Sequence, residues 1–413
     1  MTADPPRPAR RPLFGPGALV AAAFIGPGTV TTCTVAGARF GADLVWVLVL
    51  ATLAAILLQE MAARLGAGAR LGLGEAAMRL APNRPVRLAL AGLILVALGV
   101  GNAAYEAGNL TGGTLGAQAV LGDARPGTRL AALALLTIIA GAALWRGRYA
   151  VLERLLVTLV ALMALAYLGA LVLVRPDLTA LAGGLVPRVP EAPGAWLLAA
   201  ALIGTTVVPY NLFLHAAAAR RRFDGPDAVR DARRDTVVSV GLGGVVSVAI
   251  LAVAASALAR GTDIASAADL ARAVEPAYGA GARLLLGLGL LAAGLTSAIT
   301  APMATAYAVA ELTGGDEARR ARVFRIVALA VLGVGALVAA FSLRPVALIL
   351  LAQAANGLLL PIVAGLLLLV MNRRSLLRHR ANGPLANAGG ALVVLLAAAL
   401  GVRALLRVSG LLP

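Results

Sequence analysis

The chain has 413 residues, 60% of them hydrophobic and 13% charged, with 36 basic and 19 acidic side chains and a formal net charge of +17. Soluble domains run at about 45–50% apolar and about 25% charged, which excludes an ordinary soluble enzyme, a disordered chain and a disulfide-stapled secreted module. Apart from two histidines every basic residue is arginine, and the arginines fall between apolar runs rather than along one face, which argues against a nucleic-acid partner.

In chain order, residues 1–12 (MTADPPRPARRP) form a Pro/Arg stretch without the cleavage pattern of a signal peptide, expected as a disordered cytoplasmic tail. Residues 13–413 are expected to form a single transmembrane domain. A span takes about 20 apolar residues. Hydropathy then predicts eleven helices, near 14–38, 42–64, 86–110, 128–145, 150–174, 194–220, 235–259, 282–312, 322–342, 344–371 and 388–408. The Gly-rich stretch from Gly66 to Arg84 is expected at the membrane interface. With the N-terminus in the cytoplasm, about two-thirds of the arginines, including Arg220 to Arg222 and Arg373 with Arg374, fall on the cytoplasmic side, as the positive-inside rule requires. The reading is a multi-pass protein of the inner (plasma) membrane. Cys33, the single cysteine, excludes an intramolecular disulfide and a cysteine metal cluster.

Two helices carry the functional signal. The first contains Gly26-Pro27-Gly28-Thr29 near its middle, and the sixth contains Pro209 in VVPYNLFLH, with Asn211 following at depth. Proline removes a backbone hydrogen bond and glycine lowers the cost of leaving helical geometry. In a bilayer such unwinding survives only where it lines a cavity or meets protein partners. A simple kink is the alternative at each site. Interruptions at matching positions in two halves point instead to a transporter built on inverted repeats, with its substrate between the breaks.

Other polar groups lie deep in the spans. Asn102, Glu106 and Asn109 share one face of helix three, beside Tyr105. A buried acid is a functional candidate for coupling or substrate binding, or else packing glue between helices. His215 lies one turn beyond Asn211 and can pass a proton or sit neutral against a carbonyl. Thr296, Ser297 and Thr300 in helix eight line a path or serve helix packing. Gln353 and Asn356 are deep amides of helix ten. Glu60 and Glu311, near helix ends, are expected in inter-helix pairs. His379 is expected to be solvated, as are Asp263, Asp269 and Glu275.

These residues resemble a known family. The run from Gly15 to Gly66 looks like the first two helices of the Nramp (natural resistance-associated macrophage protein) divalent-metal transporters. VPYNLFLHA, from Val208 to Ala216, is similar to that family's sixth-helix MPHN motif with its trailing LHS, and Gln353 falls in a region like its tenth-helix glutamine. The resemblance implies an all-α polytopic fold: a LeuT-type five-plus-five inverted repeat, roughly 14–174 and 194–371, with an extra helix at 388–408. It also implies proton-coupled symport of a divalent metal. The departures are specific. The first-helix DPGN reads GPGT, so the aspartate matches Gly26 and the asparagine Thr29. The sixth-helix methionine matches Val208, the histidine after the proline matches Tyr210, and the upstream small residue matches Thr205.

The candidate substrate site is therefore Gly26, Pro27, Gly28, Thr29, Thr205, Val208, Pro209, Asn211 and Gln353. The candidate proton path is Asn102, Glu106, Asn109, Tyr210 and His215. No residue is assigned as a metal ligand, and no cofactor is expected. Transition metals want negatively charged oxygen, nitrogen or soft sulfur donors, and a bare divalent ion among hydroxyls and carbonyls would be costly. The expected activity is secondary-active transport with metal selectivity lost or altered. A small organic or anionic solute is the alternative cargo, with a channel-like module or an intramembrane enzyme as outside readings.

Overall fold

The computed structural model describes residues 15–17, 20, 25–147, 150–313 and 316–408. The expected tail at 1–12 and most of the first half of helix one lie outside the described residues. Ten helices among those described are long and apolar enough to span a membrane. The eleventh expected span is helix one, whose described portion, α1 (Pro27–Phe40), is 14 residues long.

The first repeat continues with α2 (Val45–Arg64), α4 (Arg84–Leu121), α5 (Pro126–Arg146) and α6 (Ala150–Val174). Between α2 and α4 the stretch expected at the interface is folded. A π-helical turn, Leu65–Ala69, closes on Arg70 in the left-handed region (φ 59°, ψ 31°), and α3 (Leu73–Leu80) follows with Leu73, Gly74, Ala76 and Ala77 buried. The turn has to be glycine at Gly66, because a Cβ there would lie 2.2 Å from the Ala216 carbonyl oxygen. Helix α4 starts from an Asn83 cap, which accepts from the Val86 amide at 3.0 Å, and its 38 residues run well past the expected end at 110. It stops at Gly122, in the left-handed region that glycine adopts freely.

A short surface helix, α7 (Leu178–Gly183), capped by Asp177, leads to the second repeat. This comprises α8 (Ala195–Thr206), α9 (Pro209–Arg222), α10 (Ala228–Ala257), α13 (Ala282–Thr313), α14 (Glu317–Phe341) and α15 (Pro345–Met371). Two short helices, α11 (Ala267–Arg272) and α12 (Glu275–Tyr278), bridge α10 and α13, the former held by a capping box between Ser266 and Asp269. After α16 (Arg374–Leu377), α17 (Pro384–Val408) is the extra span.

Five spans are an odd number, so the second repeat enters the bilayer with the opposite orientation. The packing repeats accordingly. Helix α4 packs on α15, and its counterpart α13 packs on α6; α1 packs on α10, and α8 with α9 pack on α2; the counterparts α4 and α13 lie against each other. Apolar burial does not distinguish these faces from lipid, so close approach of small residues must hold them. A Cβ at Gly294 would lie 2.5 Å from the Gly113 Cα, and one at Gly116 would lie 2.4 Å from the Leu291 nitrogen. The hydroxyls of Thr296 and Thr300 bond to carbonyls of their own helix, at 2.8 and 3.4 Å, and so does that of Thr305 further along, at 3.1 Å, whereas the Ser297 hydroxyl has no partner among the described residues.

At the arginine-rich end, Glu60 pairs with Arg64 on its own helix and with Arg233 on α10, as an inter-helix acid should. At the other end Arg129 donates to the carbonyls of Ala339, Ala340 and Ser342, which close the last turn of α14.

Glycine position therefore sets the sign of substitution. Gly116→Val meets backbone and should lower the melting temperature in detergent by an amount equivalent to about 2–3 kcal/mol. Gly99→Ala, with nothing within 4 Å, should raise stability slightly through helix propensity. Thermal unfolding followed by tryptophan fluorescence checks both.

Candidate substrate site

The two proline motifs do not form kinks. Gly26 is extended (φ −96°, ψ −175°), and Pro27 begins α1 as its first helical residue, where its missing N–H costs nothing. In the second motif Val207 (φ −107°, ψ 73°) and Val208 (φ −75°, ψ 121°) leave helical geometry, and Pro209 begins α9 in the same way. The contrast lies within the same chain: Pro302 and Pro361 sit inside helices that continue through them.

All of Gly26, Pro27, Gly28, Thr29, Thr205, Val208, Pro209, Asn211 and Gln353 are buried. The structure ties the two breaks together directly, because the hydroxyls of Thr29 and Thr205 lie 2.8 Å apart and one donates to the other. Helix α15 closes the third side. Its Gln353 amide lies against Gly28, where a Cβ would come within 2.1 Å of Nε2, and its backbone rests on Gly204, where a Cβ would come within 1.9 Å of the Gln353 carbonyl oxygen. Pro27 packs on Gly112 of α4 with equal closeness. Glycine at each contact leaves space for what faces it: a side-chain amide at Gly28, a proline ring at Gly112 and backbone at Gly204.

The polar inventory at this centre is neutral. Among the described residues, neither amide atom of Gln353 nor of Asn211 has a hydrogen-bond partner. Buried amides normally find partners, so these two are available to something else. Helices α1 and α9 both start here, so two helix N-termini bring partial positive charge and amide donors to the centre. Groups of three or more His, Cys, Asp or Glu side chains placed to hold a metal ion are absent among the described residues.

The candidate proton-path residues divide into separate places. On α4, Asn102 donates to Thr305 of α13, and Asn109 donates to Glu106 at 3.3 Å. Glu106 is fully buried, with its stem against Gly335 of α14 and one carboxyl oxygen without a partner. Tyr210 meets Tyr105 edge to face, with ring centroids 5.5 Å apart, which links the second break to α4. His215 lies elsewhere, its Nδ1 2.9 Å from Gln59 Oε1 on α2. Sequence reading missed Gln59. Its signal was an uncharged amide in the apolar second span, one residue before the more conspicuous Glu60.

Two broken helices meeting at the centre of inverted five-span repeats define a membrane transporter of the LeuT type, not an enzyme. The Nramp family description, "Natural resistance-associated macrophage protein-like", matches residues 17–407. The chain is 32% identical over 317 residues to the divalent metal cation transporter MntH of Deinococcus radiodurans, covering 72% of this chain and 69% of that protein. It is 30% identical to the divalent metal cation transporter MntH of Acidiphilium cryptum, over 94% of this chain and 89% of that one. Its fold is similar to that of the Eremococcus coleocola manganese transporter, with a TM-score of 0.76, 22% identity and coverage of 94% and 85%. The chain belongs to the Nramp family.

The contact between Gly28 and Gln353 generates a coupling prediction. Gly28→Ala should cost about 1–2 kcal/mol by displacing the amide, and most of that cost should vanish in the Gly28→Ala, Gln353→Ala double variant, as residues in contact are non-additive. A thermal-unfolding double-mutant cycle measures it.

Proposed function

We propose that the protein is a secondary-active transporter of the plasma membrane, with its N-terminus in the cytoplasm, whose selectivity for transition metals is lost or altered relative to its family. The observation that carries this reading is the neutral centre: Thr29 and Thr205 hydroxyls, Asn211 and Gln353 amides, and main-chain atoms. Manganese and ferrous iron at a dehydrated midplane need anionic or imidazole donors, with a thioether favouring softer metals. Gly26, Thr29, Val208 and Tyr210 supply neither carboxylate, thioether nor imidazole. Alternating access would rock one set of helices against the other around the Thr29–Thr205 contact.

A second reading, a small organic or anionic solute as cargo, is favoured by the two converging helix N-termini and the unpartnered amides. These suit a carboxylate or other anion. If transport is coupled to protons, Glu106 with Asn109, beside Asn102 and Tyr210, is one candidate relay and His215 another. They lie on different helices with different partners, so each has to be tested alone.

Proteoliposomes separate the readings. Wild-type protein should take up little manganese above empty vesicles. The variant carrying Gly26→Asp, Thr29→Asn, Val208→Met and Tyr210→His should bind manganese at least tenfold more tightly. A thermal-shift screen should show stabilisation by an organic acid or anion in preference to divalent metals. Saturable manganese uptake by the wild type, abolished by Thr29→Val, would defeat the proposal.

A further inference from the structure

A second concentration of charge lies away from the broken helices. At the arginine-rich end, the ends of α5, α9 and α13 and the start of α14 enclose a cavity of about 360 Å³. Five arginines line it: Arg146, Arg220, Arg221, Arg320 and Arg325. Two carboxylates, Glu311 and Glu317, share the wall, so cations are in clear excess.

The arginines are not consumed by internal pairing. Arg220 bonds to Glu75 at 3.1 Å, outside the cavity lining. Arg221 lies over the Tyr307 ring at 4.9 Å and donates from Nη1 to the Tyr307 hydroxyl at 3.2 Å, while Arg325 lies over the Trp145 ring at 5.5 Å. Phe324 braces Tyr307, with centroids 4.9 Å apart. Among the described residues, Arg146, Arg221, Arg320 and Arg325 form no ion pair with a carboxylate. An aromatic face can hold a guanidinium plane while leaving its N–H fork free, as Trp145 does for Arg325. The forks of Arg320 and Arg325 match the oxygens of a phosphate, which a guanidinium can grip two at a time.

The positive-inside bias alone accounts for arginines at this end. It does not account for their gathering in a concave site with aromatic walls; Arg373 and Arg374, at the same end, stand exposed and unwalled. Basic pockets between spans at the membrane surface are where acidic head groups bind.

We propose that this cavity binds one phosphate-bearing anion, gripped by Arg320 and Arg325 between the Trp145 and Tyr307 rings. An acidic phospholipid head group and a soluble phosphate share that chemistry, and the experiment distinguishes them. The full-length protein in detergent is titrated with phosphatidylglycerol, phosphatidylcholine and inorganic phosphate, reading the melting temperature and, by native mass spectrometry, the lipid retained. The variants are Arg320→Gln with Arg325→Gln, and Arg373→Gln with Arg374→Gln as the charge-matched control. Phosphatidylglycerol, and not phosphatidylcholine, should raise the melting temperature by several degrees in wild type and control. In the cavity variant the apparent affinity should fall at least tenfold. A cavity-dependent shift from inorganic phosphate in place of the lipid supports the site and assigns a soluble ligand. Equal losses in both double variants would show bulk surface charge and overturn the proposal, as would the absence of any shift in wild type. Should the double variant fail to fold, Arg146→Gln carries the same test with a smaller expected loss.

Discussion

A peptide group in hydrocarbon must find a hydrogen-bond partner or be enclosed by protein. This constraint governs the molecule more than any side-chain contact does. Nine of the ten long apolar spans among the described residues satisfy it by continuity, the exception being Ala195–Arg222. At Gly26 and at Val207–Val208 the chain abandons that solution, and all three residues are buried. Proline makes the abandonment local: its ring pre-sets the first helical turn, and its missing N–H falls where a helix start has no intrahelical partner anyway. The packing of α4, α8, α10 and α15 around the breaks can be understood as the enclosure that makes them tolerable.

That enclosure depends on how closely helices approach. Ridges of leucine would hold α4 and α13 apart, whereas Gly113 and Gly116 facing Leu291 and Gly294 bring backbones into contact. Gly204 against Gln353 and Gly357 does the same for α8 and α15. Tight packing of this kind is bistable rather than compliant, which is the mechanical property an alternating carrier requires. The same closeness ties Gly28 to Gln353: the amide has space only because its neighbour lacks a Cβ.

Much of this was legible in the sequence, for identifiable reasons. Span number and order follow from apolar length, which burial in lipid imposes directly. The breaks were legible because Pro27 and Pro209 sit mid-span with glycine or a polar residue beside them, yet Pro302 and Pro361 show that proline alone does not decide between break and kink. Here the flanking Gly26 and Gly28, and the recurrence at equivalent places, decided it. The pairing of His215 with Gln59 was not legible, because their separation in sequence reflects tertiary packing between α2 and α9. The closeness of the π-helical turn at Leu65–Ala69 to α9 was hidden for a similar reason, since the Ala216 carbonyl that faces Gly66 lies far along the chain. The arginine cavity is assembled from the ends of four helices and leaves no local pattern at all.

The side chains gathered at the two breaks, Thr29, Thr205, Asn211 and Gln353, carry no formal charge. Glu106 is an acid buried in the same bundle, but its stem faces Gly335 of α14, and its nearest polar partner is Asn109 on its own helix. The breaks are left with dipoles: the N-termini of α1 and α9, the carbonyl end of α8, two hydroxyls and two amides. Dipoles of this kind stabilise a partial or single negative charge well. They offset the dehydration of a divalent cation poorly, because cation solvation requires oxygens turned inward and compensating anionic charge. The meeting of helix ends at one centre comes from the backbone alone, whatever side chains the two motifs carry.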